Sequence, residues 1–363
     1  MTQTLLVNKS NFGDVSIIAK DDAPLADDFI RCQVGPWALT ANNVTYMVTG
    51  ERIGYWNYFR PDAYGIDIQS HGRMPVWGFA EVVQSQCEGV KVGQKIYGFF
   101  PIIDKFDIKP VDVSPMGFQD GNHHRMKLHS IYNQYIFTDA DPSFAKHGDL
   151  QPILRPLFTT SFLIDDFLAE KNYFEAEQIL ILSASSKTAL GTAFCAKQRG
   201  VIKVSGLTSE VNKEFTIGTG FYDNVRTYDT ITDLNPDIKT VVVDMSGNGK
   251  VLTTVSDHFE ENLKYVCKVG LSHWDEASKP TPKPSAPTAF FFAPDQAKTR
   301  IAEWGGAVFA QKLSERWMPF LESASDWLTV EHSSDVIDLL KTYNDVLNGD
   351  ASPDKGFLFS LQG

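Results

Sequence analysis

The chain has 363 residues, 43% of them apolar, and a formal net charge of −12 at pH 7. That length suits two domains with sizeable cores, and the acidic balance without a basic, aromatic-interleaved patch argues against nucleic acid as a partner. No apolar run reaches the ~18 residues of a membrane span, and the N-terminal residues lack a basic region followed by an apolar core, so neither a span nor a secretory signal is expected.

Residues 1–110 read as β-rich, with many glycines and prolines and short runs such as Gly78-Phe-Ala-Glu-Val-Val and Lys95-Ile-Tyr-Gly-Phe-Phe. Residues 152–172 predict a helix with apolar positions at Leu157, Phe158, Phe162, Ile164, Phe167 and Leu168. Residues 179–182 are an apolar run of strand length, followed by the polar turn Ser183-Ala-Ser-Ser-Lys-Thr and a helix. Further strand-like runs stand at 201–204, at Thr240-Val-Val-Val-Asp-Met-Ser-Gly247, and at Tyr265-Val-Cys-Lys-Val-Gly-Leu-Ser272. The proline-rich stretch 279–287 predicts an extended surface segment. Residues 288–293 predict another strand, followed by a helix carrying Trp304 and Trp317 and then by a C-terminal helix, turn and strand. The four runs between 179 and 270 each end in Ser, Thr or Gly and are separated by helix-length segments. They describe an α/β class with a doubly wound parallel sheet and a ligand crevice at the strand C-termini.

A buried strand feeding a helix N-terminus is the geometry that holds a dinucleotide pyrophosphate, because backbone N–H groups and the helix dipole point at the anion. In place of a G-x-G-x-x-G loop the chain has Ser185, Ser186, Lys187, Thr188 and Ala189. Hydroxyls and an ammonium bind phosphate as well. The same residues fit a simple helix cap; the strands that follow favour the anion. About 20 residues on, where an acid would grip the adenosine ribose, stand Thr208 and Ser209, with Glu210 and Lys213 beyond. Hydroxyls followed by a lysine suit a 2′-phosphate, which favours NADP over NAD. Tyr228, Ser246, Gly247, Gly270 and Ser272 complete the expected cofactor-binding set.

In order and spacing these motifs resemble the medium-chain dehydrogenase/reductase superfamily, in its zinc-independent quinone- and enoyl-reductase branch, over nearly the whole chain. The residues that carry the resemblance are Ala41-Asn-Asn-Val-Thr-Tyr46 with Gly50, Pro75-Val-Trp-Gly78, and Val90-Lys-Val-Gly-Gln-Lys-Ile-Tyr-Gly98. Thr159 and Thr160 in the helix before the nucleotide fold, and the closing helix, Gly349, Lys355-Gly356 and strand, add to it. The altered loop marks a divergent side branch. The resemblance implies a GroES-like β-barrel substrate domain in residues 1–150 and a Rossmann domain in 151–310. Residues 311–363 would return to the catalytic domain, and the protein would be a homodimer.

That superfamily's zinc enzymes carry Gly-His-Glu after the P-x-x motif, whereas Gly78 is followed by Phe79 and Ala80, and no cysteine stands at 43–46. His123, His124 and His129 are the densest ligand cluster, and adjacent histidines point to opposite sides of a strand. The four cysteines, Cys32, Cys87, Cys195 and Cys267, form no C-x-x-C pair. They read as buried thiols of a reducing compartment. No metal is expected, and the expected location is cytoplasmic.

Without a metal, hydride chemistry needs a group that stabilises the oxyanion developing on the acceptor. Tyr46 is the candidate proton donor, with Asn43 or Asn42 polarising a carbonyl and Tyr55 beside them. The aromatic loop Tyr55-Trp-Asn-Tyr-Phe-Arg60 is either a hydrophobic plug or an apolar wall for a small-molecule substrate, and Arg60 could instead meet an acidic group. The expected activity is NADP(H)-dependent, metal-independent reduction of an apolar carbonyl compound, a quinone, enone or aldehyde. Two alternatives are a nucleotide-binding sensor or structural protein that has lost turnover and an acyl-thioester reductase accessory to lipid metabolism.

Overall fold

The computed structural model describes residues 1–270, 284 and 286–361; Ser272 and most of the proline-rich stretch lie outside the described residues. The chain forms two units, one of Met1–Ile153, Val330–Ala351 and Lys355–Gly363, the other of Leu154–Thr329 and Ser352–Asp354.

The first unit is β-rich, as expected. It contains β1 (Thr2–Asn8), β2 (Asn11–Lys20), β3 (Ile30–Leu39), β4 (His71–Gly72), β5 (Pro75–Ser85) and β6 (Lys95–Pro101). After these come β7 (Lys105–Ile108), β8 (Pro110–Ser114), β9 (Gly117–Asp120) and β10 (Gln134–Phe137). The large sheet is centred on β3, which pairs antiparallel with β5 and with β7. A Cβ on Gly78 of β5 would lie 2.5 Å from the Trp37 Cβ of β3, so only glycine allows this approach.

The second unit contains β11 (Gln178–Leu182), β12 (Lys203–Thr208), β13 (Asn224–Thr227), β14 (Thr240–Asp244), β15 (Leu263–Lys268) and β16 (Thr288–Phe290). They form one sheet in the order β13-β12-β11-β14-β15-β16, with every neighbouring pair parallel. Strands β11 and β14 are wholly buried, as the Ile/Leu and Val runs require of strands covered on both faces. Leu180, Val242 and Val266 pack with Leu252, Val255 and Phe259 of the helix Gly249–Phe259. Strand β12 begins two residues later than its apolar signal, because Val201 is exposed and the ladder starts at Lys203. Strand β13 has no apolar run and was not anticipated.

Two corrections concern the C-terminal third. The expected helix with Trp304 and Trp317 is two, Ala293–Trp304 and Gly306–Ser323, broken at Gly305 with φ 81°. The second of these packs within the second unit, Phe320 stacking on Phe158 of the helix Leu150–Glu170 at 4.7 Å between ring centroids. The return to the first unit therefore starts at Val330, not at 311. There β17 (Thr329–Ser333) and β18 (Lys355–Phe359) complete the large sheet, whose order is β17-β18-β3-β5-β6-β10-β9-β8.

Just before β11 the chain makes a left-handed turn of four non-glycine residues, Asn172, Tyr173, Phe174 and Glu175, with φ of 47°, 50°, 55° and 62°. The Phe174 ring stacks on that of Tyr265, nearly parallel to it with 3.9 Å between centroids.

Candidate functional site

In the second unit, strand order reverses between β11 and β14, which are in register with Leu182 opposite Asp244. At such a switch point the helices that follow leave on opposite faces and open a crevice past the strand C-termini. Both strand ends continue into short polar turns, at Ser183–Ser186 and at Met245–Gly247.

The first turn is held from three sides. Ser183 adopts φ 53°, a left-handed value that favours glycine. Its N–H donates to the Tyr228 hydroxyl at 3.0 Å. Tyr222 donates its hydroxyl to the Ala184 carbonyl at 2.8 Å, and Thr208 donates to Ser185 Oγ at 3.2 Å. Ser186 caps the helix Lys187–Arg199, its Oγ accepting from the Ala189 N–H. Thus Ser185 and Thr208 meet each other, and the cap and the anion readings of Ser186 describe the same position. Gly206 lets β12 come this close, since a Cβ there would stand 2.7 Å from that of Ala184.

Lys187 follows in the first helical turn, where intrahelical acceptors for N–H groups are missing. It is half-buried, donates from Nζ to the Pro353 carbonyl at 3.1 Å, and burial pushes its pKa down to about 8 against the opposing charge of Asp354. Thr188 is joined through its carbonyl to Ser161, whose hydroxyl lies 2.7 Å away. Ser209 begins the helix Glu210–Gly218 without a side-chain cap bond, and Lys213 on that helix lies 3.9 Å from Glu210.

The second turn is an Asp-centred nest. Asp244 Oδ1 accepts from the Ser246 N–H at 2.9 Å, the Ser246 hydroxyl at 2.7 Å and the Gly247 N–H at 3.0 Å. Desolvation raises the carboxyl's pKa, and these hydrogen bonds oppose it. Gly270 approaches from β15, where a Cβ would be 2.4 Å from the Met245 carbonyl oxygen.

In the first unit, Asn43, Tyr46 and Tyr55 stand at or just after the helix Ala41–Val48. Asn43 is buried and its amide is committed to structure: Oδ1 accepts from the Thr40 N–H at 2.7 Å, completing a capping box, and Nδ2 donates to the Pro75 carbonyl at 2.7 Å. Tyr46 Oη accepts from Asn42 Nδ2 at 2.7 Å and from Trp77 Nε1 at 2.9 Å. The Tyr46 ring lies 4.6 Å from that of Tyr55 and 5.3 Å from that of Phe99. Tyr55 shares a 2.9 Å hydrogen bond with Tyr132, a residue the sequence did not single out. Burial raises all these phenols, Tyr55 to about 12 and Tyr46 and Tyr132 well above the usual phenol range, so each is neutral at ordinary pH. Arg60 pairs with Asp62 at 2.9 Å. Arg125, between His124 and His129 in sequence, is a core residue that binds Asp120, Asn133 and Tyr135. Phe79 packs edge-on against Tyr97 and Phe144.

Solved structures similar in fold span nearly the whole chain. CurA from Vibrio vulnificus in complex with NADPH is 13% identical, with a TM-score of 0.61 and 99% of each chain covered. The yhdH oxidoreductase from Salmonella enterica in complex with NADP is 13% identical, with a TM-score of 0.55, covering 99% of this chain and 100% of that one. The quinone oxidoreductase from Coxiella burnetii is 12% identical, with a TM-score of 0.54 and 99% of each chain covered. At such identity the likeness establishes the fold, a Rossmann-type doubly wound sheet plus a GroES-like β-barrel domain. No curated protein matches the sequence. The family model that does match covers residues 37–352, and the chain belongs to that family, described as Protein of unknown function (DUF2855).

Proposed function

We propose that the protein is an NADP(H)-dependent, metal-independent reductase of an apolar carbonyl compound such as a quinone, enone or aldehyde. The observation that carries this reading is the switch point between β11 and β14, with Ser183–Ser186 and Met245–Gly247 at adjacent strand ends. Similar folds have been solved with NADPH or NADP bound.

The donor set fits a pyrophosphate: the Ser186 hydroxyl, the Lys187 amine, Thr188 and the N-terminus of a thirteen-residue helix. Ser185 and Thr208, bonded to each other, stiffen that loop, and Tyr228 fixes its first residue. Ser209 and Lys213 are assigned to the 2′-phosphate, with Ser246, Gly247 and Gly270 beside the nicotinamide end. When bound, the reduced nicotinamide supplies a hydride. The protein's own part is to orient the acceptor, exclude water and give a proton, and Tyr46 is the residue assigned to that proton. The active form is a cytoplasmic homodimer, a state that light scattering measures.

Titration calorimetry with NADPH and NADH, followed by NADPH oxidation against quinones, enones and aldehydes, tests the reading. NADPH binds more tightly and at least one acceptor is reduced; absence of NADPH binding overturns it. Tyr46→Phe lowers turnover by roughly 10²-fold, the scale of losing one oxyanion donor, while nucleotide affinity stays unchanged. A second reading, a nucleotide-binding protein without turnover, is favoured by the glycine-free loop and its bonds to Tyr222 and Tyr228. Tight NADPH binding without oxidation by any acceptor would establish it.

A further inference from the structure

Tyr46 is buried in an aromatic cluster with Tyr55, Tyr58, Phe59, Phe99 and Tyr132, yet its hydroxyl meets two nitrogen donors. An amide NH₂ and an indole N–H can only donate, so the phenol oxygen accepts both times. Among the described residues none accepts the phenol's own proton. The rings of Tyr55 at 4.6 Å and Phe99 at 5.3 Å hold the Tyr46 ring in place. Rotation about the C–O bond is then its main freedom, and the two donors block the directions in which they lie.

We propose that Asn42 and Trp77 are positioning residues for Tyr46: they aim its O–H at the substrate oxygen and hold the charge left behind. This rests on the assignment of Tyr46 as proton donor. The Tyr46 O–H bond breaks as a bond from that proton to the substrate oxygen forms, and the electron pair stays on the Tyr46 oxygen. There the Asn42 and Trp77 N–H groups meet it, and solvent water returns the proton afterwards. The helix Ala41–Val48 supplies the spacing, since residues 42 and 46 are i and i+4 neighbours on one face. Trp77 comes from β5, two residues after Pro75, whose carbonyl accepts from Asn43 and anchors this helix to the sheet. Burial raises the phenol's pKa while the two hydrogen bonds lower it, the direction expected of donors that favour the phenolate.

Two donors on a phenol oxygen favour the phenolate whatever their role, so acidity shows whether they hold the charge, and kcat shows whether the reaction uses it. A fluorinated, more acidic tyrosine at position 46 makes that acidity measurable by ultraviolet titration. The acid constant should fall roughly tenfold in Asn42→Leu and again in Trp77→Phe, the scale of one hydrogen bond to a charged group. In the unlabelled enzyme the same variants should lose kcat with NADPH Kd unchanged. An acid constant that moves in neither variant, or a kcat unchanged in both, overturns the proposal. Asn42→Leu, on a half-exposed helix position, keeps the test open if Trp77→Phe fails to fold. A protein that oxidises no NADPH fails the reductase reading instead, and the titration still decides the cradle by itself.

Discussion

Lys187 is a cation half-withdrawn from water beside a helix N-terminus, and its depressed pKa of about 8 has two consequences of opposite sign. A bound phosphate favours the charged amine, so NADPH affinity should fall as pH rises through about 8. Folding stability should rise from about pH 8 towards 10.5, because the unfolded chain binds more protons across that window. Calorimetry from pH 7 to 9 checks the first: Lys187→Ala should cost about tenfold in affinity at pH 7 and flatten the profile, and an unaltered slope would exclude Lys187 from the anion site. Lys213→Ala, by contrast, should weaken NADPH about tenfold and leave NADH nearly untouched; equal losses would refute the 2′-phosphate assignment. The sequence made this loop legible as strand, polar turn and helix because the change from apolar to polar residues is local. It did not reveal Tyr222 on Ala184, which lies 38 residues away in the chain. Asn43 misled for another reason: an amide next to a tyrosine reads as a carbonyl-polarising group, whereas Thr40-x-x-Asn43 is also a capping-box spacing, and that use prevails.

Four consecutive non-glycine residues ahead of β11 are left-handed. Each non-glycine residue in that region costs about 1–2 kcal/mol relative to a right-handed one. Asn172 and Glu175 are exposed, so glycine at either position loses little packing. Asn172→Gly and Glu175→Gly should each add about 0.5–1 kcal/mol of stability, read as a higher urea midpoint, relief of strain being partly offset by the freer unfolded chain. An unchanged or lowered midpoint would show that these two positions carry no strain that glycine relieves. Elements with a strong periodic or apolar signal, such as β11, β14 and the helix Leu150–Glu170, were legible in the sequence. Strand β13 was not, since Asn224-Val-Arg-Thr has one apolar residue and owes its conformation to pairing with β12. The break at Gly305 was missed because apolar periodicity continues on both sides of it.

At the scale of the whole molecule, the fold is held without a metal in the proposed reading. Purified protein should contain no stoichiometric zinc by elemental analysis, and chelators should leave its Tm unchanged, because structural zinc contributes directly to folding free energy. One zinc per chain would overturn that expectation. The two units also differ in how synthesis reaches them. The sheet of the second unit lies within one continuous stretch, Leu154–Thr329, and can form as soon as that stretch has emerged. The first unit cannot close on the same schedule: Trp37, Ala38 and Leu39 of β3 pair with Phe359, Leu358 and Phe357 of β18, made about 300 residues later. At the usual pace of ~5–20 residues per second, that edge of β3 waits some 15–60 s for its partner. The sheet of the second unit is therefore the one the nascent chain completes first, and in the first unit that edge of β3 stays unpaired until the last strand arrives.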